Sequence, residues 1–432
     1  MKIFKYVVLL MTSAVLFTAC EMDSAKGETL EPDDVKGKVE DTLYDLLDAY
    51  DAENFRKVVN LGERFGEEYG DNPYYDWDQV EEYLEDRGEK LFFSDENHRR
   101  EGNNIYHEYL ATVIVELSDI KGKLTLGPNS ARCTDYDGTQ VLFSLDGKDY
   151  VVDIVPSGKT TTALYEHEEI YGHRYGNEYN HSKDTYHIEI DVPETVSVTI
   201  TENGKTFAAI TMSFTTSFSK NGVSLTKDCF MVTSSILVDN QEMIIEKTGY
   251  NAATGKAEMA VTLKKNGNQL LYASASVDAK FNLVTKKDEW SNGYEEYVYP
   301  EFSTARNVNL YIDIMGNIQL RGTCSDVKAC ADYMENFYEA DNEAAAVRAL
   351  ENINKKVDIA LYDQDGKTRQ ASVVLDYYLY DDYGESWWEV EPILVFGDGS
   401  KYAFYEYFTE SDADRFGNRF EDWLEGYEDL FD

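Results

Sequence analysis

The sequence predicts an α+β protein in which N-terminal helices precede a long-stranded antiparallel β meander, curved or barrel-like. It also predicts an inserted helix pair and a C-terminal amphipathic helix. Apolar residues recur every three or four positions between Val35 and Leu84, and they alternate with polar residues after Gly122. Asn-Gly pairs, a strong hairpin signal, punctuate the alternating region at Asn203, Asn221 and Asn266.

The N-terminal region, residues 34–121, is expected to be mainly helical. Pro32-Asp33-Asp34 favours a helix start, because acidic side chains stabilise the positive end of a helix. The apolar spacing predicts helices from Val35 to Tyr50, from Phe55 to Phe65 and from Trp77 to Leu84. The segment Ile105–Leu117 is ambiguous, since its β-branched run favours a strand while its tyrosine spacing suits a helix. We expect a helix there.

Residues 122–432 form the predicted β-rich region. Val141–Leu145 and Tyr150–Val155 flank Asp146-Gly147 and predict a tight hairpin. The segment from Lys205 to Ser219 and the segment from Leu271 to Phe281 each carry apolar residues on one face only. A sheet with one apolar and one Ser/Thr face is typically antiparallel and half solvated.

Two interruptions and one terminal helix are predicted in this region. Helical spacing at about residues 325–355 indicates a helix pair, after which strands resume from Val357 to Phe408. The segment 411–431 places five aromatic side chains on one helical stripe and acidic residues on its other faces. This spacing predicts an amphipathic C-terminal helix.

The N-terminus has the charged and apolar regions of a secretory signal peptide, since Lys2 and Lys5 precede an apolar run too short to span a bilayer. Leu16-Phe17-Thr18-Ala19-Cys20 resembles the lipobox of bacterial, Bacteroidetes-type lipoproteins, with Phe17 where the commonest motif has Leu. The resemblance implies a signal peptide at 1–19 and a lipid on Cys20 that anchors the chain at the outer membrane or cell surface. The periplasmic face remains an alternative.

Residues 20–33 are polar and acidic, and they predict a flexible tether, because they offer too little apolar surface to offset the entropy of ordering. The whole chain has 82 acidic and 40 basic residues and a formal charge of −42. Such a surface repels nucleic acid and disfavours lying on anionic lipid. The chain is therefore expected to contact the membrane through the lipid on Cys20 alone, and no nucleic-acid partner is expected.

The candidate catalytic and metal-binding motifs lack residues that the chemistry requires at fixed spacing. The segment starting at His167 has Tyr171 where a zinc-protease helix needs a second histidine, and the stretch around it is expected to be a polar loop. Asp137-Gly138 and Asp365-Gly366 resemble parts of calcium loops but predict tight turns, because the remaining ligands are missing. We therefore predict no catalytic residue, no cofactor and no metal.

Besides Cys20 the chain has four cysteines, which allow three pairings among Cys133, Cys229, Cys324 and Cys330. An exported protein can form disulfides, and Cys324 and Cys330 are near neighbours in sequence. Buried free cysteine is also common in large cores. The pairing is therefore left open.

Aromatic side chains beside acids are the one candidate binding feature. Tyr380, Tyr383, Trp387 and Trp388 lie in one stretch rich in carboxylates, a combination that suits sugars through stacking and hydrogen bonds. Alternation between core and surface in strands explains the same pattern. The leading hypothesis is a non-enzymatic binding or assembly lipoprotein of the cell envelope. The alternatives are a carrier of lipid or another apolar ligand, and a surface glycan-binding or glycan-active protein.

Overall fold

A computed structural model gives the fold. It describes residues 30–49, 53–70, 89–116, 121–127, 130–175, 178–218, 224, 227–290, 293–340, 342–382 and 385–403. The helices are α1 Pro32–Ala49, α2 Glu53–Phe65, α3 Val327–Tyr338 and α4 Glu343–Asn354, and a π-helical turn at Gly66–Gly70 follows α2.

Strands make up most of the described chain. They are β1 Glu89–Glu101, β2 Asn104–Glu116, β3 Gly122–Gly127, β4 Ser130–Thr134, β5 Thr139–Leu145, β6 Lys148–Tyr175, β7 Glu178–Glu202, β8 Lys205–Ser217, β9 Cys229–Val238, β10 Gln241–Asn251, β11 Lys256–Lys265, β12 Asn268–Trp290, β13 Gly293–Ile314, β14 Ile318–Asp326, β15 Val357–Asp363, β16 Arg369–Asp382, β17 Glu385–Phe396 and β18 Lys401–Ala403. In the described residues they belong to one hydrogen-bonded sheet.

Eight consecutive strands, β6 to β13, close into an antiparallel barrel. Neighbours in sequence pair throughout this series. The ring closes where the start of β13 pairs with β6, from Gly293 opposite His173 to Glu296 opposite Ile170. This closing pairing is short, because only the tips of the β6–β7 and β12–β13 hairpins meet there.

Tight turns at one end of the barrel set the strand register. Asn203 and Asn266 adopt positive φ, at 50° and 53°, and each is followed by a glycine of positive φ. That geometry is the one a two-residue hairpin turn requires, so the Asn-Gly predictions at these two positions are confirmed. The turn predicted at Asn221 lies outside the described residues.

Additional strands extend the barrel. β14 to β18 continue from β13 as antiparallel neighbours, and α3 and α4 connect β14 to β15. On the other side β2 pairs in parallel with the N-terminal half of β7. β2 also pairs with β1, in the antiparallel direction. The predicted helix pair and the predicted antiparallel meander are confirmed.

One face of the sheet carries the core. In one cluster α1, α3 and α4 cover β14 to β17, with Phe337, Ala346 and Ile353 fully excluded from solvent. In the second cluster the end of α1, α2 and Tyr69 cover the turn end of the barrel. Asn354 fixes α4 to β16, because its side-chain amide both donates to and accepts from the backbone of Leu375, at 2.8 and 3.1 Å.

The structure corrects two sequence predictions. Residues 105–116 of the Ile105–Leu117 segment lie in strand β2, so the predicted helix is wrong, and the region 34–121 holds strands as well as helices. Tertiary pairing decided the ambiguous pattern, because β2 lies between β1 and β7. The histidine-rich stretch after His167 is the tip of the β6–β7 hairpin and not a polar loop. The predicted helices Trp77–Leu84 and 411–431 lie outside the described residues.

Candidate functional site

The uncovered face of the sheet carries a row of large side chains, which we call the tyrosine–arginine strip: Tyr272, Tyr311, Arg321 and Tyr362. They lie on four consecutive strands, β12 to β15. Tyr311 is directly opposite Arg321 in the register. Tyr272 and Tyr362 flank this pair on the outer strands, each two residues out of line with it and therefore on the same face.

Alternation along each strand places the strip on the uncovered face. Side chains point to opposite faces at successive positions of a strand. The sequence neighbours Ile312, Leu320 and Leu361 line up across β13, β14 and β15. Leu320 and Leu361 pack against the core beneath α1, α3 and α4. Tyr311, Arg321 and Tyr362 therefore face away from the helices.

Arg321 is held between two rings. Its guanidinium carbon lies 5.0 Å from the centroid of Tyr362 and 5.5 Å from that of Tyr311. Tyr272 extends the row, since its ring centroid is 5.8 Å from that of Tyr311. A cation within about 6 Å of an aromatic face is attracted to it. The rings thus fix a side chain that remains exposed.

Polar neighbours complete the strip. Arg321 Nη2 donates to Gln319 Oε1 at 2.6 Å. Tyr311 donates its hydroxyl hydrogen to Asp313 Oδ2 at 3.2 Å, and the same carboxylate accepts from the Gly316 N–H at 2.9 Å. Burial and the Asp313 carboxylate raise the pKa of Tyr311. The Tyr311 phenol therefore stays neutral. Because a guanidinium has five N–H donors, Arg321 keeps further donors for a bound carboxylate.

The β15–β16 turn closes one side of the strip. Asp365 accepts the backbone N–H groups of Lys367 and Thr368 at 2.8 and 2.9 Å, which confirms the predicted tight turn. Gly366 has φ of +61°, and a Cβ there would overlap the Arg321 guanidinium. A glycine is therefore needed both for the turn and for the position of the arginine.

The aromatic residues singled out in the sequence do not form one platform. Tyr380 and Trp387 are cross-strand partners on β16 and β17, and the Tyr380 side chain is 43% exposed. Trp388 points to the opposite face, where it packs against the core and meets the Tyr377 ring edge-on at 5.6 Å. Tyr383 and Cys20 lie outside the described residues.

The histidines do not assemble a metal site in the described part of the chain, where no group of three or more His, Cys, Asp or Glu side chains converges. His181 instead packs at the barrel closure. Its ring stacks on Tyr106 at 4.9 Å, and its Nδ1 is 3.1 Å from the Tyr294 hydroxyl. His98 and His107 face each other across β1 and β2 with their Nδ1 atoms 2.6 Å apart.

Sequence reasoning missed the tyrosine–arginine strip. It identified the apolar face of the strand holding Leu271 but assigned no role to the side chains that alternate with that face. The available signal was a tyrosine or arginine on the face opposite the apolar face in several strands. Only the pairing register between the strands shows that these side chains are neighbours.

Comparison with known proteins found no matching family model, no similar curated protein and no similar solved structure. Among the residues whose structure is described, no helix is long and apolar enough to cross a bilayer.

Proposed function

We propose that this chain is a lipid-anchored protein of the cell envelope, at the outer membrane or cell surface, that acts by binding another protein without catalysis. The lipobox-like segment ending at Cys20 supports the anchor. The tyrosine–arginine strip supports the binding role and is the observation that carries it.

The strip has the chemistry of a protein–protein contact. Tyrosine and arginine are enriched among the residues that dominate interface affinity, because they combine a large apolar area with hydrogen bonding. Arg321 is already fixed by two rings, so binding costs less side-chain entropy than for a free arginine. A partner that presents a carboxylate between apolar groups would match Arg321 and its flanking tyrosines.

The binding role is tested by cross-linking in intact cells that express Arg321→Ala or Tyr362→Ala. We expect each variant to lose the cross-linked species formed by the unaltered chain. Arg348→Ala is a matched control, because Arg348 is an exposed arginine on α4, away from the strip. Equal cross-linking in all the variants would refute the strip as the binding surface.

The anchor is tested separately by metabolic labelling with a fatty-acid probe. The unaltered chain should be labelled and recovered with membranes, and Cys20→Ala should be unlabelled and released. An unlabelled chain would refute the anchor and leave the strip hypothesis standing.

Glycan binding is the second candidate, and exposed aromatic side chains near the β16–β17 turn favour it. Tyr378 and Tyr380 are 44% and 43% exposed on one face of β16. A glycan array should give hits that Trp387→Ala abolishes. Trp388→Ala controls for core packing, because Trp388 lies against the helices. An array without hits would contradict glycan binding.

The carrier hypothesis remains a prediction. The apolar cavity between α1 and the β14–β16 region is about 10 Å³, far smaller than an acyl chain needs. Native mass spectrometry of the purified chain would reveal a co-purifying lipid, and a protein mass without added lipid would argue against this hypothesis.

A further inference from the structure

Two of the four cysteines in the described residues lie close together where β14 passes into α3. Cys324 lies near the end of β14, and Cys330 lies in the first turns of α3. Their Sγ atoms are 3.7 Å apart, and both thiols are free in this structure. A disulfide requires about 2.0 Å between sulfurs, so a modest side-chain movement would join them.

The connection between the two cysteines is well fixed. Asp326 caps α3, because its side chain accepts the Ala329 N–H at 3.1 Å. Ser325 donates its backbone N–H to the Lys356 carbonyl at 2.9 Å, which ties the end of β14 to the segment after α4. The two sulfurs are therefore held near each other by the fold and do not meet by chance.

The two thiols differ in access. Cys330 is 6% exposed and lies within the core beneath the helix pair, whereas Cys324 is only half-buried. Cys324 lines an open cavity of about 470 Å³ whose other walls include Asn309, Ser325 and Lys356. A small polar reagent can reach Cys324 first.

The charge environment favours the same order. A hydrogen bond from the Cys330 thiol, the Asp326 backbone and the nearby Lys356 ammonium together lower the pKa of Cys324 to about 7, against the opposing effects of burial and the Asp326 carboxylate. The pKa of Cys330 is raised, because it donates to Cys324 and is buried. At pH 7 Cys324 is therefore roughly half thiolate, whereas Cys330 stays a thiol.

We propose that Cys324 and Cys330 form a thiol–disulfide exchange site, with Cys324 as the attacking thiolate, Cys330 as the resolving thiol and a small polar disulfide as the co-reactant. This site is separate from the tyrosine–arginine strip and does not depend on the proposed binding role.

The exchange balances in two steps. The Cys324 thiolate attacks one sulfur of the small disulfide, whose S–S bond breaks, giving a mixed disulfide on Cys324 and one free thiolate. That thiolate takes the Cys330 proton. The Cys330 sulfur then attacks Cys324 Sγ and expels the second small thiolate. The protein dithiol is oxidised to a disulfide, and the small disulfide is reduced to two thiol equivalents.

The expected rate advantage of Cys324 follows from its pKa. At pH 7 a thiol of pKa about 7 is roughly half thiolate, and an ordinary thiol of pKa about 8.5 is roughly 3% thiolate. Nucleophilicity falls with pKa, with a Brønsted slope of about 0.4–0.5, which removes about fivefold of this gain. A net advantage of about threefold over an ordinary cysteine remains.

The test uses the purified full chain, fully reduced, with glutathione disulfide as the probe. Peptide mapping by mass spectrometry should show a Cys324–Cys330 linkage in the unaltered chain. Cys330→Ser should instead accumulate a glutathione adduct on Cys324, about threefold faster than on Cys133 or Cys229. Cys324→Ser should form no linkage and leave Cys330 unmodified.

The folded, unaltered chain keeps the proposal falsifiable should Cys330→Ser fail to fold. If the first glutathione adducts of the unaltered chain form on Cys133 or Cys229 as fast as on Cys324, and no Cys324–Cys330 linkage follows, the proposal is overturned. In urea the preference for Cys324 should disappear, because the fold supplies it. A preference that persisted in the unfolded chain would also overturn the proposal.

Discussion

Replacing Gly172 with alanine should open the barrel at its closing pairing. Gly172 on β6 is opposite Tyr294 on β13, and it is buried beneath that tyrosine ring. A Cβ on Gly172 would lie 2.8 Å from Tyr294 Cζ and closer still to two other ring atoms, whereas ordinary contacts begin at 3.4 Å. The ring must therefore move away from β6.

The magnitude follows from the contacts that the ring would lose. Its hydroxyl is 3.1 Å from His181 Nδ1, a hydrogen bond worth about 0.5–1.5 kcal/mol. Its centroid stacks on Tyr179 at 6.3 Å, a contact worth another ~0.5–1.5 kcal/mol. The closing pairing should therefore weaken by about 1–3 kcal/mol, which corresponds to about 5- to 150-fold more frequent opening.

Hydrogen exchange of backbone amides measures this opening. Protection should fall at residues 170–173 and 293–296 and stay unchanged where Val261 pairs with Ala273, deeper in the barrel. In a Tyr294→Ala background the same Gly172→Ala change should have little effect, because the clashing ring is gone.

Unchanged protection at the closing pairing in Gly172→Ala would refute the reasoning. Without a clash, Gly→Ala is instead expected to stabilise by about 0.4–1 kcal/mol through the unfolded chain.

Four further outcomes are expected. Gly249→Ala should destabilise the whole barrel by about 1–3 kcal/mol in urea unfolding, because a Cβ there would overlap the Phe230 carbonyl on β9, and backbone yields less than a side chain; an unchanged midpoint would contradict this. Phe337→Ala should cost about 3–5 kcal/mol, because this α3 side chain is fully buried in the core, and a loss below 1 kcal/mol would be inconsistent with that burial. Asn342→Ala should cost about 1 kcal/mol by the same assay, because its side chain caps α4 through the Ala345 N–H; no change would show that the cap is dispensable. Alkylation of Cys324 by iodoacetamide should accelerate as pH rises, with a midpoint near 7, because only the thiolate reacts, and a midpoint above 8 would contradict its lowered pKa.

Local patterns sufficed for those parts of the chain whose structure depends on nearby residues. The turns at Asn203 and Asn266 were predictable because left-handed backbone suits Asn and Gly. The helix pair was predictable because Ala346 and Ile353 recur at helical spacing, and both are fully buried. One-sided alternation predicted an antiparallel sheet with one covered face.

The Ile105–Leu117 segment shows where local pattern fails. Its spacing fits a helix and its β-branched residues fit a strand, so local propensity is nearly balanced. Pairing with β1 on one side and β7 on the other supplies a strand's hydrogen bonds. Such long-range partners are invisible within the segment, and they override weak local preference.

By itself the sequence determined the antiparallel meander, its helix pair, the tight turns and the lipobox-like segment that predicts an anchor at Cys20. Only the tertiary structure decided that β6 to β13 close into a ring, that Arg321 lies between Tyr311 and Tyr362, and that Cys324 meets Cys330. The physical reason is distance along the chain. Turns and helices depend on residues a few positions apart, whereas closure and side-chain clusters depend on the register between whole strands.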